Sequence, residues 1–458
     1  MEKLHILDLS IVGIYLLLCL VIGLYKSTKI KTIREYTVGS GNFPLIALVA
    51  TNFATYISAR STMGDVAEIF QSGLIYGIPV LLCFLSWLIT SRLYISNIYQ
   101  FKNCISLSEI MYKLYGKLAL HITNFCSIIL SIGFITTQML AIGYLFQEYF
   151  QIQYHIGVMI GFSILTFYSA FGGIRGVVLT DIFQFFIFFC ILPIVCGFLY
   201  YEVGGYYKIK TSLPKSHFDS FLIKDTIILF IGYIFYTIIP LHSAPYIQRL
   251  LMSNNQEKLK KTYNICAFLT LIFSILILLI GLMMRIKTPE IEPNLVFYHF
   301  INNYLPPILK SMMLVGILAI IMSTADSWLN NASAIIAHDI AKKINSKITN
   351  KQQIKIAIIF TFLISLLCVI CAFLVDSILK AIFMVFNFWV PIILVPLTAG
   401  FLKFRTNSTS FLYSVIMAIL LCLLGRYISS DFGVVNMTTG TIGSAIGLFC
   451  SHYLKKKI

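Results

Sequence analysis

The sequence predicts an all-α integral membrane protein: thirteen transmembrane helices with a five-plus-five inverted-repeat core. Three observations predict it. Of 458 residues, 59% are hydrophobic and only 11% charged, too few charges to cover a soluble fold of this length. Apolar runs recur at the length that crosses a bilayer, about 20 residues. The basic residues gather in short stretches between those runs.

The spans fall at Ile6–Tyr25, Phe43–Phe70, Leu74–Tyr94, Leu118–Phe150, Ile156–Phe171, Val177–Tyr201 and Ile227–Tyr246. They continue at Ile265–Met284, Ile308–Ile336, Ile354–Val375, Ile382–Phe401, Phe411–Leu424 and Val435–Tyr453. If spans two to six form one five-helix unit, spans seven to eleven form the next. Five is odd, so the second unit enters the membrane from the opposite side, the inverted plan common in secondary transporters. The expected organisation is one transporter domain over 1–458. It comprises a first helix with a basic loop (1–42), repeats at 43–202 and 226–402, and two C-terminal helices (408–458).

Loop charge orients the spans. Lys26, Lys29, Lys31 and Arg34 fill the first loop, and every second loop after it is basic: Lys102, Lys113 and Lys117; Arg175; Arg249, Lys258, Lys260 and Lys261; Lys342, Lys343, Lys347 and Lys351; Lys403 and Arg405. The tail ends in Lys455, Lys456 and Lys457. Intervening stretches such as Glu202–Lys224 are mixed in sign. The positive-inside rule places the N-terminus outside and the C-terminus in the cytoplasm, as an odd span count requires. The net charge of +16 is therefore a topology signal and not a nucleic-acid footprint. Most of the eleven cysteines lie inside apolar runs, where they read as packing. The first run is long enough to span and lacks a small-residue cleavage site, so it reads as a retained helix. No soluble module or long linker interrupts the chain.

Two spans carry chemistry. In Gly316–Ile340 the residues Ser323, Thr324, Asp326, Ser327, Asn330 and Asn331 crowd an apolar run. Lipid cannot hydrogen-bond them, so they face protein, water or an ion. Ser323, Thr324, Asp326 and Ser327 offer hard oxygen ligands within about one helical turn, suited to a hard cation. Span two is polar and small at its centre, from Thr51 and Asn52 through Ser58, Arg60 and Ser61 to Asp65 and Glu68. An unwound middle there exposes backbone carbonyls to a cation and a half-helix N-terminus to an anion. A mid-membrane arginine costs roughly 2.5 kcal/mol upward unless it is paired. Arg60 therefore either grips a substrate carboxylate or pairs with Asp65 or Glu68.

Four stretches resemble the sodium/solute symporter family, which includes bacterial proline, pantothenate, sialic acid and sugar symporters. They are YTVGSGNFPL at Tyr36–Leu45 with the polar span after it, YSAFGGIRGVVLTDIFQ at Tyr168–Gln184, the S-T-A-D-S helix, and, more weakly, PYIQR at Pro245–Arg249. The resemblance covers the whole chain. It implies a sodium site built from the carbonyls of Ala54, Ile57 and Ile320 and the side chains of Ser323 and Thr324. It implies a second sodium near Asp181, Ser323, Asp326 and Ser327, because Asp181 and Asp326 would otherwise be unpaired buried acids. The other reading of Asp181 is a polar cap near Arg175. The implied substrate residues are Arg60, Ser61, Gln138, Tyr236 and Asn387; packing is the competing role for Gln138 and Tyr236. Sugar-binding members carry a glutamate where this chain has Val80, which speaks against a sugar, and Arg60 favours a carboxylate-bearing solute such as an amino acid, a monocarboxylate or pantothenate.

The expected function is sodium-coupled import of a small organic solute across the cell membrane, a bacterial inner membrane, by a multi-pass protein. Sodium is the coupling ion, no other cofactor is expected, and a monomer suffices. A proton-coupled transporter of the same fold, or a sodium-coupled sugar or sialic acid transporter, is the alternative; Asp181 or Asp326 would titrate in the first. No catalytic constellation is present, since His121, His155, His242 and His338 are scattered with no second His at metal spacing.

Overall fold

The structure, a computed structural model, describes residues 2–25, 30–219, 224–240, 242–375, 378–429 and 433–455. Lys26, Lys29, Lys456 and Lys457, counted above for topology, lie outside the described residues. Every element among the described residues is helical, and Asn42 and Ser253 form an isolated β-bridge. This is what a bilayer demands, because a helix satisfies its own backbone where no water can. Among the described residues nine helices are long and apolar enough to cross a membrane, and Asp8–Leu24 and Leu45–Tyr56 are shorter apolar helices.

Burial ranks these helices. The apolar windows of Lys117–Phe150 and Pro307–Ile344 are 78% buried, against 28% for Ser408–Ile428 and 33% for Asn350–Ala372. The first two therefore form the centre of the bundle. On Asn350–Ala372 the apolar side chains of Ile359, Leu363, Leu366, Leu367 and Ile370 stay exposed, the face lipid would cover. The S-T-A-D-S helix is thus central, and its polar middle meets protein on all sides.

Two expected spans, Ile156–Phe171 and Val177–Tyr201, run together in one helical stretch, Tyr154–Val203, bent at Gly173 (φ 52°, ψ −166°). Only glycine adopts that backbone without strain. The small residues around the bend let the first helix come close. A Cβ on Gly176 would stand 2.4 Å from the carbonyl oxygen of Gly23, and one on Gly172 would stand 2.5 Å from it. Such small-xxx-small contacts are how membrane helices approach backbone to backbone. Gly176→Ala is expected to cost about 1–3 kcal/mol, read as a lower melting temperature of the detergent-solubilised protein. An unchanged melting temperature would mean that the first helix yields without penalty.

Other boundaries differ from expectation. The third span continues from Leu74 to Phe101, with Pro79 inside it. The stretch expected as one span, Ile227–Tyr246, is two helices, Lys224–Ile238 and Ala244–Leu250, and the described residues between them are non-helical. Pro240 withholds a backbone donor there and His242 has φ 45°. Stretches expected as loops contain the helices Leu107–Tyr115, Gly205–Ser212 and Val296–Tyr304. The first is strongly capped. The Ser106 hydroxyl accepts the Glu109 N–H at 3.1 Å, the Glu109 carboxylate accepts the Ile105 N–H at 2.8 Å, and Gly116 (φ 87°) ends it.

Candidate functional site

The site begins where span two comes apart. Leu45–Tyr56 is α-helical, Ile57 is extended (φ −75°, ψ 123°), and the chain resumes as a π-helical turn, Arg60–Gly64, before the α-helix Asp65–Ser72. The gap exposes carbonyl oxygens that a continuous helix would consume. Local side chains hold it open. Ser61 Oγ accepts the Ser58 N–H at 2.8 Å, and Gln138 Oε1, reaching from Lys117–Phe150, accepts the Ala59 N–H at 3.1 Å.

Across the gap stands the S-T-A-D-S helix, Pro307–Ala334. Ser323 Oγ lies 3.1 Å from the Ala54 carbonyl oxygen and 3.0 Å from that of Ile320, and Thr324 Oγ1 lies 2.7 Å from that of Ile57. Three carbonyls and two hydroxyls, on residues 0–2% exposed, so meet at the junction of the two helices. As they stand, the hydroxyls donate to the carbonyls. With their protons turned aside, the same oxygens present a neutral, hard-donor cradle to a monovalent cation.

Beside this cradle lies a buried ionic network. Arg249 Nη2 is 3.7 Å from Asp181 Oδ2, both side chains 0% exposed. Thr51 Oγ1 donates to the same Asp181 oxygen at 2.5 Å, while Asp181 Oδ1 has no hydrogen-bond partner. Arg249 Nη2 also donates to Ser327 Oγ, and its Nη1 donates to Gln248 Oε1 at 2.9 Å. Gln248 in turn donates to the Thr37 carbonyl at 2.5 Å and to Asn330 Oδ1 at 3.0 Å. Asp326 accepts from Tyr168 at 3.0 Å, Thr180 at 3.4 Å and Ser327 at 3.3 Å.

This corrects two sequence expectations. Asp181 and Asp326 are not unpaired acids: Asp181 is matched by Arg249 and Asp326 by three hydroxyls. Arg249, counted as a loop charge, is fully buried in the bundle. The pair could not be read from sequence, because its members are sixty-eight residues apart on different helices. The available signal was the PYIQR stretch, whose Gln and Arg follow a proline-interrupted apolar run.

A cavity opens on the other side of the break. Its wall carries Tyr56, Ser58 and Arg60 from the first broken helix, and Ile239, Pro240 and His242 from the second. Trp87, Phe134, Tyr246, Tyr263 and Phe386 add an aromatic lining, with Thr90 among them. Both interrupted helices thus face one space. Arg60 sits at its edge with Nη2 3.5 Å from Asp65 Oδ1 and 3.4 Å from the Tyr76 hydroxyl, which itself donates to Asp65 at 2.7 Å. The guanidinium therefore has a structural partner and a cavity face together.

The other expected substrate residues are placed differently. Ser61 and Gln138 are spent on the break, and Gln138 Nε2 donates to the Phe134 carbonyl at 3.2 Å and to Thr137 Oγ1 at 3.0 Å. Asn387 Nδ2 bonds the Phe383 carbonyl at 2.7 Å, within its own helix, and its oxygen faces Cys422 Sγ at 3.6 Å. None of the three lines the cavity. The Tyr236 side chain lies outside the described residues. Residues that line it and were not anticipated, Trp87, Tyr246 and Tyr263, look like ordinary membrane-helix aromatics in one dimension.

Residues 36–418 match the model of the sodium:solute symporter family. A sodium/glucose cotransporter of Oryctolagus cuniculus is 24% identical over 402 residues, covering 75% of this chain and 60% of that protein. The chain thus spans about 60% of the length of the glucose cotransporters it matches. A high-affinity proline transporter of Bacillus subtilis is 23% identical over 73% of this chain and 74% of that one. A sodium/sialic acid symporter of Proteus mirabilis is 23% identical over 94% of this chain and 92% of that one. Among solved structures, the outward-open state of a Na⁺-coupled sialic acid symporter superposes with a TM-score of 0.84, at 20% identity, over 96% of this chain and 97% of that one.

Proposed function

The chain belongs to the sodium:solute symporter family, and from that premise we propose that it is a secondary active symporter. It imports a small organic solute with sodium by alternating access. One observation carries this reading: at the buried junction of a broken helix and an unbroken one, Ser323 Oγ reaches the carbonyls of Ala54 and Ile320 and Thr324 Oγ1 reaches that of Ile57. A cation held there ties the two helices together and stabilises one state over the other. Transport then needs only a differential affinity of two states for two ligands.

The architecture that goes with it is thirteen spans, with repeats at 43–202 and 226–402 inverted about the membrane plane. The interruptions of Leu45–Ser72 and Lys224–Leu250 support it, since both repeats would then break their first helix at the midplane. The N-terminus is outside and the C-terminus in the cytoplasm of a bacterial inner membrane, and the monomer transports. A second sodium at Asp181, Ser323, Asp326 and Ser327 requires Arg249 to give way, because its guanidinium already supplies a cation to Asp181. The unpartnered Asp181 Oδ1 is the oxygen such an ion would claim.

The solute occupies the cavity between the two breaks and carries a carboxylate, as in an amino acid, a monocarboxylate or pantothenate. Arg60 supports this choice as the cation on the cavity wall. Relatives named for glucose and sialic acid keep a sugar as the second reading, but Val80 is apolar and buried. Arg60→Gln is expected to raise the KM for the solute at least about tenfold, roughly the 1.4 kcal/mol of one charge-assisted hydrogen bond. The sodium concentration for half-maximal uptake stays unchanged. A lower melting temperature with an unchanged KM would assign Arg60 to Asp65 alone.

The reading is tested by uptake into proteoliposomes of labelled amino acids, short carboxylates, pantothenate and sugars. Each is run with an inward sodium gradient, a proton gradient or neither. Sodium-driven uptake of a carboxylate is expected. Uptake driven only by protons would overturn the coupling ion, and competition by neutral sugars alone would overturn the solute class.

A further inference from the structure

We propose that Glu109, His338 and Asp339 form a binding site for one divalent transition-metal ion of the zinc class, separate from the sodium cradle and the solute cavity. Each of the three offers a ligand atom, and these atoms lie within 4.8 Å of one another. One imidazole nitrogen and two carboxylate oxygens suit a borderline metal, with a fourth position left for water. Metal–ligand bonds of about 2.0–2.2 Å require the three side chains to draw together by about 1 Å.

Two features show a built site rather than a chance acidic cluster. The first is orientation from outside the ligand set. His338 Nε2 faces Glu109 Oε1 at 2.8 Å while its Nδ1 faces Gln353 Oε1 at 3.3 Å. An amide oxygen on the second nitrogen fixes the tautomer that leaves Nε2 for a metal. The Glu109 carboxylate is likewise steered, its Oε2 held by the Ile105 N–H at 2.8 Å, which turns Oε1 toward His338. The second feature is Asp339. It is 1% exposed, and neither of its oxygens has a hydrogen-bond partner. Ser106 faces it from the start of the neighbouring helix; its hydroxyl oxygen accepts the Glu109 N–H at 3.1 Å, and its proton stays free to turn toward Asp339 without neutralising it. A buried carboxylate within reach of one neutral hydroxyl and no ion-pair partner stays costly. A protonated His338 would match Glu109 and leave Asp339 unmatched; a dication matches both carboxylates. Lys343 lies over the Tyr112 ring at 4.7 Å and acts on the two carboxylates only through its longer-range charge.

The ligands come from separate elements. Glu109 is on Leu107–Tyr115, His338 and Asp339 are on the π-helical end Ile335–Ala341 of the S-T-A-D-S helix, and the orienting Gln353 opens Asn350–Ala372. A bound ion would pin the end of the sodium-site helix to its neighbours at the face where Lys342 and Lys343 emerge.

The test is a Co²⁺ titration of the purified full-length chain after chelator treatment, read by visible absorption and by competition with Zn²⁺. One saturable Co²⁺ band per chain, displaced by Zn²⁺, is expected. Asp339→Asn and His338→Gln should each weaken binding at least about tenfold. Gln353→Leu, which keeps every ligand, should weaken it about 10–100-fold. The melting temperature should rise with Zn²⁺ in the parent chain and not in Asp339→Asn. Should Asp339→Asn fail to fold, His338→Gln and Gln353→Leu decide the matter. Absence of a saturable band, or equal affinity in all variants, overturns the site. So does an Asp339→Asn protein that is more stable than the parent with or without metal, since the acid would then simply be protonated.

Discussion

Proteoliposomes containing Ser323→Ala/Thr324→Ala are expected to take up solute no faster with an inward sodium gradient than without one. The reason is geometric. Two of the five oxygens at the junction are hydroxyls, and they are the two that the unbroken helix contributes through side chains. Without them the Ala54 and Ile57 carbonyls have no partner across the junction, and a cation bound to the broken helix no longer senses where the other helix stands. Coupling between two ligands is typically worth about 1–3 kcal/mol, or about 5–150-fold. The sodium stimulation of uptake should fall by that factor, to unity. Backbone structure should persist, because alanine keeps both residues helical and fits a site already packed on all sides. The single variants should lie between, with Thr324→Ala losing the contact to the extended Ile57. Sodium-driven uptake at the parent rate in the double variant would move the ion elsewhere, and the network around Asp181 and Asp326 would be the place to look.

The second large effect is expected at Arg249. Arg249→Gln leaves Asp181 buried with Thr51 as its remaining donor. Removing one partner of a buried ion pair costs about 3–5 kcal/mol, because the charge left behind has lost its water and its counter-ion together. A large drop in folded yield and in the melting temperature of the solubilised protein should follow. Arg249→Gln/Asp181→Asn should recover most of it, since two neutral groups of similar shape carry no such penalty. The asymmetry between single and double variants is the diagnostic. If the double variant is as unstable as the single one, the cost lies in the lost bonds to Ser327 and Gln248 and not in the stranded charge. The pair also bears on stoichiometry. With Arg249 seated against Asp181, sodium activation of uptake should show a Hill coefficient near one. A value near two would mean that a second ion displaces the guanidinium during the cycle.

Much of the site was legible because a bilayer makes polarity conspicuous. Ser323, Thr324, Asp326 and Ser327 stood out inside an apolar run, and they do meet carbonyls, a tyrosine and an arginine in the interior. The polar middle of span two was read as a break, and Ile57 is where the helix stops. The second break does not show in the sequence, although Pro240 lies in it and Pro245 just past it, because the surrounding run is apolar enough to pass as one helix. Gln138 and Asn387 are the polar residues that the family resemblance implies at the solute. Polarity shows only that a group needs a partner, and theirs turned out to be backbone. The residues that shape the cavity, Trp87, Tyr246 and Tyr263, carry only the polar tip that any aromatic of a membrane helix shows, and that does not single them out.

By itself, the sequence determined that this chain is a helical membrane protein and which groups inside it must be satisfied by something other than lipid. That constraint is local: each polar side chain or unwound backbone carries its desolvation cost wherever its helix goes. Only the tertiary structure decided the partners. Asp181 with Arg249, Ala59 with Gln138, Ile57 with Thr324 and Glu109 with His338 are pairings between distant helices. They are set by which helix faces meet in the packed bundle, and no spacing along the chain encodes that.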